Sequence, residues 1–387
     1  MTTESTDSRT QMFTNIYTVE VTEMFAFYDN DTVGDPDPDE NSWFSMEFQI
    51  GALWFLFAAG VFGNLLVFQW MRFNWHRKSR VNTIVLGIAS ADLSVCLFAI
   101  MATAVIETAG VWTAGNALCK IVMYFQGAAL ISSGNMIAIM AIDRHQAVRS
   151  PLSAFVPAWK LVVGGWVIAG ILALPQFIVW LVKEKRGHVY CGTNLSKYPD
   201  GHGRTAYLTY VALITFLVPF VVISVAYVRL CKTIWDKSRE CTGKQRDGQI
   251  DLRRVPTGTL TRAKKKTLKM TIVIIAAFVL CGSPYFIVEM LKTYRPSVVT
   301  SNVYALFSIF AVANSAVNPY VFLFFNVTIR FWKDMFPCFS KDSPEATYNR
   351  YSVKFSSSNS RQQSKSYSDP HTRATDLESG VTINCTD

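Results

Sequence analysis

Charge is missing from most of this chain. Six stretches, 50–71, 121–142, 161–182, 205–228, 270–288 and 297–329, contain no charged residue, and a seventh, 81–106, contains only Asp92. That absence excludes the pair of soluble domains that a length of 387 residues would otherwise suggest. Each run is long enough to cross roughly 30 Å of hydrocarbon at about 1.5 Å per residue. Without water to bond to, a backbone in lipid must satisfy itself, so each run is expected to be a helix.

Histidine is scarce as well. His76, His145, His188, His202 and His371 all lie in or beside polar segments, and no clustered set of His, Cys or carboxylates suits a hydrolytic metal. With no nucleophile-and-base set either, an enzyme is not expected. Internal repeats are absent, and the span count is odd; both argue against a transporter. No cleavable signal peptide is visible, so the first span is expected to direct its own insertion. Eight cysteines in a chain this long do not make a disulfide scaffold.

What charge there is lies asymmetrically. Residues 1–48 carry eleven acidic side chains and one basic one, Arg9, whereas 232–269 carries twelve Lys/Arg against four acids. Arg72, Arg77, Lys78 and Arg80 follow the first span. Positive charge is retained on the cytoplasmic side, so the N-terminus is expected outside and the C-terminus inside, in a multi-pass plasma-membrane protein. Basic residues beside a membrane are accounted for by lipid, so no nucleic-acid partner is expected. On this topology only Cys119 and Cys191 face the oxidising side, and they are expected to pair. Asn30 and Asn194 head glycosylation sequons on the same side.

The expected fold is an all-α membrane protein, a seven-helix bundle followed by a short amphipathic helix. Residues 1–48 read as an acidic, disordered tail and 49–326 as the membrane domain. The segment 327–339 reads as a helix on the membrane surface, closed by Cys338, a candidate for lipidation. Residues 340–387, rich in Ser and Thr, read as a disordered tail open to kinases.

Several polar residues stand inside the apolar runs. Asp92 is costly there and is a functional candidate for that reason. Asn64, Ser133, Asn314, Ser315 and Asn318 could join it around a hydrated cation such as sodium; equally, the set could be a hydrogen-bond cluster that joins helices. Asp143-Arg144 closes the third span and reads either as a switch, with Tyr227 as a second partner, or as an interfacial ion pair. Pro175, Pro219, Pro284 and Pro319 lie deep in apolar runs and permit kinks.

Taken in order, these residues resemble a known family. Gly63-Asn64, Ala89-Ser90-Ala91-Asp92-Leu93, Trp112, Cys119, Asp143-Arg144-His145, Trp166, Cys191, Pro219 with Tyr227, Phe278 with Cys281-Gly-Ser-Pro284, and Asn314-Ser315 with Asn318-Pro319 are similar to rhodopsin-like G-protein-coupled receptors. Within that family, Ile142-Asp-Arg-His-Gln-Ala-Val148 and Cys281-Gly-Ser-Pro-Tyr-Phe286 look most like receptors of the vasopressin/oxytocin and gonadotropin-releasing-hormone groups. The resemblance implies a sodium ion, as an allosteric modulator, at Asp92, Ser133, Asn314, Ser315 and Asn318, and no other cofactor. Its implied partners are an extracellular peptide, a heterotrimeric G protein, arrestin and receptor kinases at the tail, and membrane lipid. Three departures stand out: Gly282 where the family usually has Trp, Phe322 where it has Tyr, and His145 where it has Tyr. The activation relay is therefore expected to be altered, with Phe278, Tyr320 or Tyr285 as compensating residues.

Glu107, Gln126, Tyr285, Glu289 and Tyr304, with Tyr294 near the same level, are the candidate ligand-binding residues. They make a polar, aromatic, mildly acidic mouth that favours a neutral or cationic ligand. Position 126 carries no Asp, which speaks against a small monoamine. The seventh run contains no lysine, which excludes a retinal Schiff base. The expected function is therefore reception of a neuropeptide; the alternative is a constitutively active receptor of the same fold with a non-peptide ligand.

Overall fold

Among the described residues, seven helices are long and apolar enough to cross a bilayer: Met46–Phe73, Arg80–Ala109, Gly115–Arg149, Ala158–Val179, His202–Asp236, Lys265–Tyr294 and Asn302–Asn326. They are called spans one to seven below. The computed structural model describes residues 46–74, 79–150, 156–185, 187–195, 202–246 and 262–327. Asn30, Cys338, residues 1–45 of the expected N-terminal tail, 328–339 of the expected surface helix and the 340–387 tail lie outside the described residues, while 46–48, expected in the tail, begin the first span.

The bundle is all-α, and the third span is its axis. Cys119, Met123, Gln126, Ala129, Ser133, Ile137 and Met140 of that span are buried, at the steps of three and four that keep one helix face turned inward. The outward faces are apolar too: Phe324 is 84 % exposed and Ile178 80 %. Such surfaces suit lipid. Between helices in lipid there is no hydrophobic drive, so close packing of small residues does that work. At Gly60, for example, a Cβ would stand 2.4 Å from the Cys96 sulfur on the second span.

Two spans contain a widened, π-helical turn, at Cys96–Ile100 and at Leu213–Leu217. The second has a clear cause. Pro219 has no N–H to donate to Thr215, and its ring would crowd that carbonyl in a regular helix. The wider turn relieves the conflict and resets which side chains of the fifth span face inward.

The sequence expectation needs one correction. The uncharged run 161–182 reads as one helix, but the helix ends at Val179. A strand β1 (Trp180–Lys185) follows and pairs antiparallel with β2 (His188–Thr193). Apolar Trp180-Leu-Val continues the hydrophobic run while its aromatic and β-branched members suit a strand. What decides is long-range pairing: Val182 lies opposite Cys191, and Cys191 is disulfide-bonded to Cys119, with Cα atoms 5.7 Å apart. Trp112, whose backbone N–H donates to the Val189 carbonyl at 2.7 Å, packs with Cys119, Met123 and Trp180 beneath the hairpin. The hairpin lies outside the bundle and leaves its class unchanged.

Candidate functional site

At the disulfide end, acceptors are buried without donors. Glu107 takes one hydrogen bond, from the Gln49 amide at 2.8 Å, through Oε1. Its Oε2 is buried and unpartnered, as are the hydroxyl of Thr103 and the side-chain carbonyl oxygen of Gln126. Thr103 and Glu107 are four residues apart and share a helix face. Ala104 packs in one cluster with Ala129, and Ile106 in another with Met123. These contacts bracket Gln126 at the depth of the Thr103–Glu107 face.

A second cluster lies between spans six and seven. The Tyr304 hydroxyl donates to Glu289 Oε2 at 2.6 Å and lies 3.0 Å from the Tyr285 hydroxyl. The Lys292 ammonium sits 4.1 Å from the centre of the Tyr304 ring. The candidate ligand residues thus form a Tyr285–Glu289–Tyr304 group and a Glu107–Gln49 group, with Gln126 bonded to neither carboxylate. Tyr294 stands apart: it is exposed and hydrogen-bonds Thr209 at 2.9 Å. Asn194, of the sequon, is half-buried, and its backbone N–H donates to the Val179 carbonyl.

Deep in the bundle, Asp92 is fully buried. It accepts from the Ser133 hydroxyl at 2.7 Å and from the Asn318 amide at 3.0 Å, and Ser315 stands beside it. The amide of Asn64 is spent on the carbonyls of Gly60 and Ser315. The side-chain oxygens of Asn64, Asn314 and Asn318 are buried without partners. One carboxylate among neutral oxygens is a hard donor set and suits a weakly charged cation. No group of three or more His, Cys, Asp or Glu occurs among the described residues, so nothing there resembles a zinc site.

At the opposite end, Asp143 accepts from the Arg144 Nη2 and also from the Nε of Arg80. The Arg80 Nη1 donates to the Val156 carbonyl. Tyr227, expected as a second partner of Arg144, lies in electrostatic reach of it and beside Thr271, but its buried hydroxyl makes no hydrogen bond of normal geometry. Arg80 is the residue that sequence reasoning missed. Its only signal was membership of a basic group after the first span, which spoke of topology and not of a partner.

Gly282 is also resolved. A Cβ on residue 282 would stand 2.5 and 2.7 Å from two ring carbons of Phe216 in the fifth span. The Phe216 ring stacks on Phe278 (5.4 Å between centroids) and on Phe220 (5.7 Å), and tilts against Phe286 at 5.2 Å. Of the three compensating residues expected, Phe278 touches this ring, Tyr285 belongs to the Glu289 cluster, and the Tyr320 hydroxyl donates to the Ala59 carbonyl of the first span. Phe322 packs edge-on against Trp70 of the first span at 5.1 Å.

The sequence profile of the family described as "7 transmembrane receptor (rhodopsin family)" matches residues 63–322. The chain belongs to that family. It is therefore a receptor and not an enzyme, and a multi-pass protein of the plasma membrane. The receptor is similar to the gonadotropin-releasing hormone II receptor of Clarias gariepinus, 28 % identical over 76 % of this chain and 78 % of that one. It is 30 % identical to the neuropeptide S receptor of Macaca mulatta, covering 77 % of this chain and 80 % of that protein. The vasopressin V1b receptor of Mus musculus is 27 % identical over 72 % of each chain.

Proposed function

We propose that this receptor binds an extracellular peptide at the disulfide end of its bundle and activates a heterotrimeric G protein at the Arg144 end. The observation that carries the reading is the set of unmatched buried acceptors on Thr103, Glu107 and Gln126. An unpaired polar group inside a protein is costly, so a ligand that brings N–H donors and positive charge recovers that cost on binding. The named relatives, all receptors of peptide hormones or neuropeptides, support the same class of ligand.

On this reading the disulfide end faces outward, as the acidic 1–48 segment and the basic inner segments suggest. The ligand binds the signalling arrangement more tightly than the resting one and shifts the population toward it. Spans five and six then separate at the Arg144 end, and Arg144 leaves Asp143 to meet the G protein. Asp92, Ser133, Asn314, Ser315 and Asn318 would hold a sodium ion, which supplies a compact positive charge beside Asp92 and favours the resting state. Arrestin and receptor kinases act on the Ser/Thr-rich 340–387 tail, glycans sit on Asn30 and Asn194, and a lipid on Cys338.

The experiment is a screen of synthetic amidated neuropeptides against cells that express the full chain, read by calcium and cyclic-nucleotide assays. The reading expects saturable activation by a cationic peptide. Activation only by uncharged small molecules would overturn it.

A further inference from the structure

A switch that moves an arginine out of a buried ion pair has a cost, because it strands the carboxylate. Asp143 is buried, with 1 % side-chain exposure, and in a site of that kind a carboxylate without a partner is strongly unfavourable. In this receptor the carboxylate already has a second cation. Arg80, at the start of the second span, donates its Nε to Oδ1, while Arg144 donates its Nη2 to Oδ2. The two guanidinium groups therefore hold different oxygens and do not compete for one. Arg80 is itself fixed from a third direction, by its Nη1 on the Val156 carbonyl ahead of the fourth span. Arg144 bonds Asp143 through Nη2, and its Nε is buried without a partner.

We propose that Arg80 is a positioning residue for the Arg144 switch: it keeps the Asp143 carboxylate paired when Arg144 swings away. The inference rests on the reading that Arg144 leaves Asp143 during signalling. Only a forked side chain can do this, since Nε must stay on the carboxylate while Nη1 stays on Val156. A lysine would keep the charge but carry its donors on one nitrogen, without the two separate positions.

The test uses four full-length chains reconstituted in lipid nanodiscs: wild type, Arg80→Gln, Asp143→Asn, and the two combined. Each is read by ligand-independent nucleotide exchange on purified heterotrimeric G proteins, at matched amounts of folded receptor. Arg80→Gln should lower exchange by about tenfold, because the released state now contains a stranded charge. In the Asp143→Asn background no charge needs holding, so Arg80→Gln should change exchange by less than about twofold. In a fifth chain, Arg80→Lys, exchange should fall between wild type and Arg80→Gln. An equal loss in both backgrounds would make Arg80 a mere anchor for Val156 and overturn the inference. Increased exchange from Arg80→Gln would make it a lock and overturn it too. Silence of the Asp143→Asn chain, in which no carboxylate holds Arg144 back, on every G-protein class would refute the signalling reading itself and take this inference with it.

Discussion

The ring of Phe216, on the fifth span, occupies the space that a side chain at residue 282 of the sixth span would need. A Cβ there would lie 2.5 Å from the ring, well inside van der Waals contact. The widened turn ahead of Pro219 brings the ring to that position. Gly282→Ala should overpack this contact at a cost of about 1–3 kcal/mol, relieved by separating spans five and six. Ligand-independent nucleotide exchange should rise. Adding Phe216→Ala should return it toward the wild-type level, and simple additivity of the two changes would rule out the contact as the cause.

Glu107 has one oxygen satisfied by Gln49 and one with no partner. Glu107→Gln should raise the melting temperature of the ligand-free receptor, because it removes an unmatched buried charge. The same change should weaken a cationic peptide by roughly tenfold to a hundredfold, as a charged hydrogen bond is worth about 1.5–3 kcal/mol. A thermal melt and a peptide dose-response curve check the two halves. A variant that loses stability and keeps potency would remove Glu107 from the binding site.

Asp92→Asn tests the cation. In the wild type, replacing choline chloride by sodium chloride should lower agonist affinity, since sodium favours the resting arrangement. The variant should show no such dependence. Sodium sensitivity that survives Asp92→Asn would place the ion elsewhere.

The Cys119–Cys191 disulfide closes a separation of 72 residues. Closing a loop of that size restricts the unfolded chain by about 4 kcal/mol in the loop-entropy account. Cys119→Ser and Cys191→Ser should each lose surface expression or peptide binding. The double variant should be no worse than either single one. Flow cytometry with a tagged N-terminus checks this, and normal binding by both single variants would contradict a structural role for the bond.

Much of this arrangement could be read from the sequence because membranes punish exceptions. Asp92 stood out since a carboxylate in an uncharged run has few reasons to exist, and it accepts hydrogen bonds from Ser133 and Asn318, two of the residues named beside it in the sequence. The pairing of Cys119 with Cys191 followed from topology, which left only two cysteines on one side. Three other features were not legible. Phe216 is one apolar residue among many, and its importance arises only where the proline-driven turn meets Gly282. Trp180-Leu-Val reads as more helix, because strand pairing with His188–Thr193 is a long-range property invisible to local hydropathy. Arg80 was counted as a topological charge, and nothing in its neighbours along the chain announces a carboxylate 63 positions away.

Residues Tyr320 and Phe322 both fasten the seventh span to the first, one through the Ala59 carbonyl at 2.8 Å and the other edge-on to the Trp70 indole. A hydroxyl at 322 would have offered a polar handle to travel toward neighbouring helices; a phenyl ring has none. Two contacts thus tie helices one and seven together, and on the proposed reading the labour of shape change passes to five and six. Spectroscopic rulers fixed to the first pair should keep one length throughout the signalling cycle, while those on the second pair lengthen.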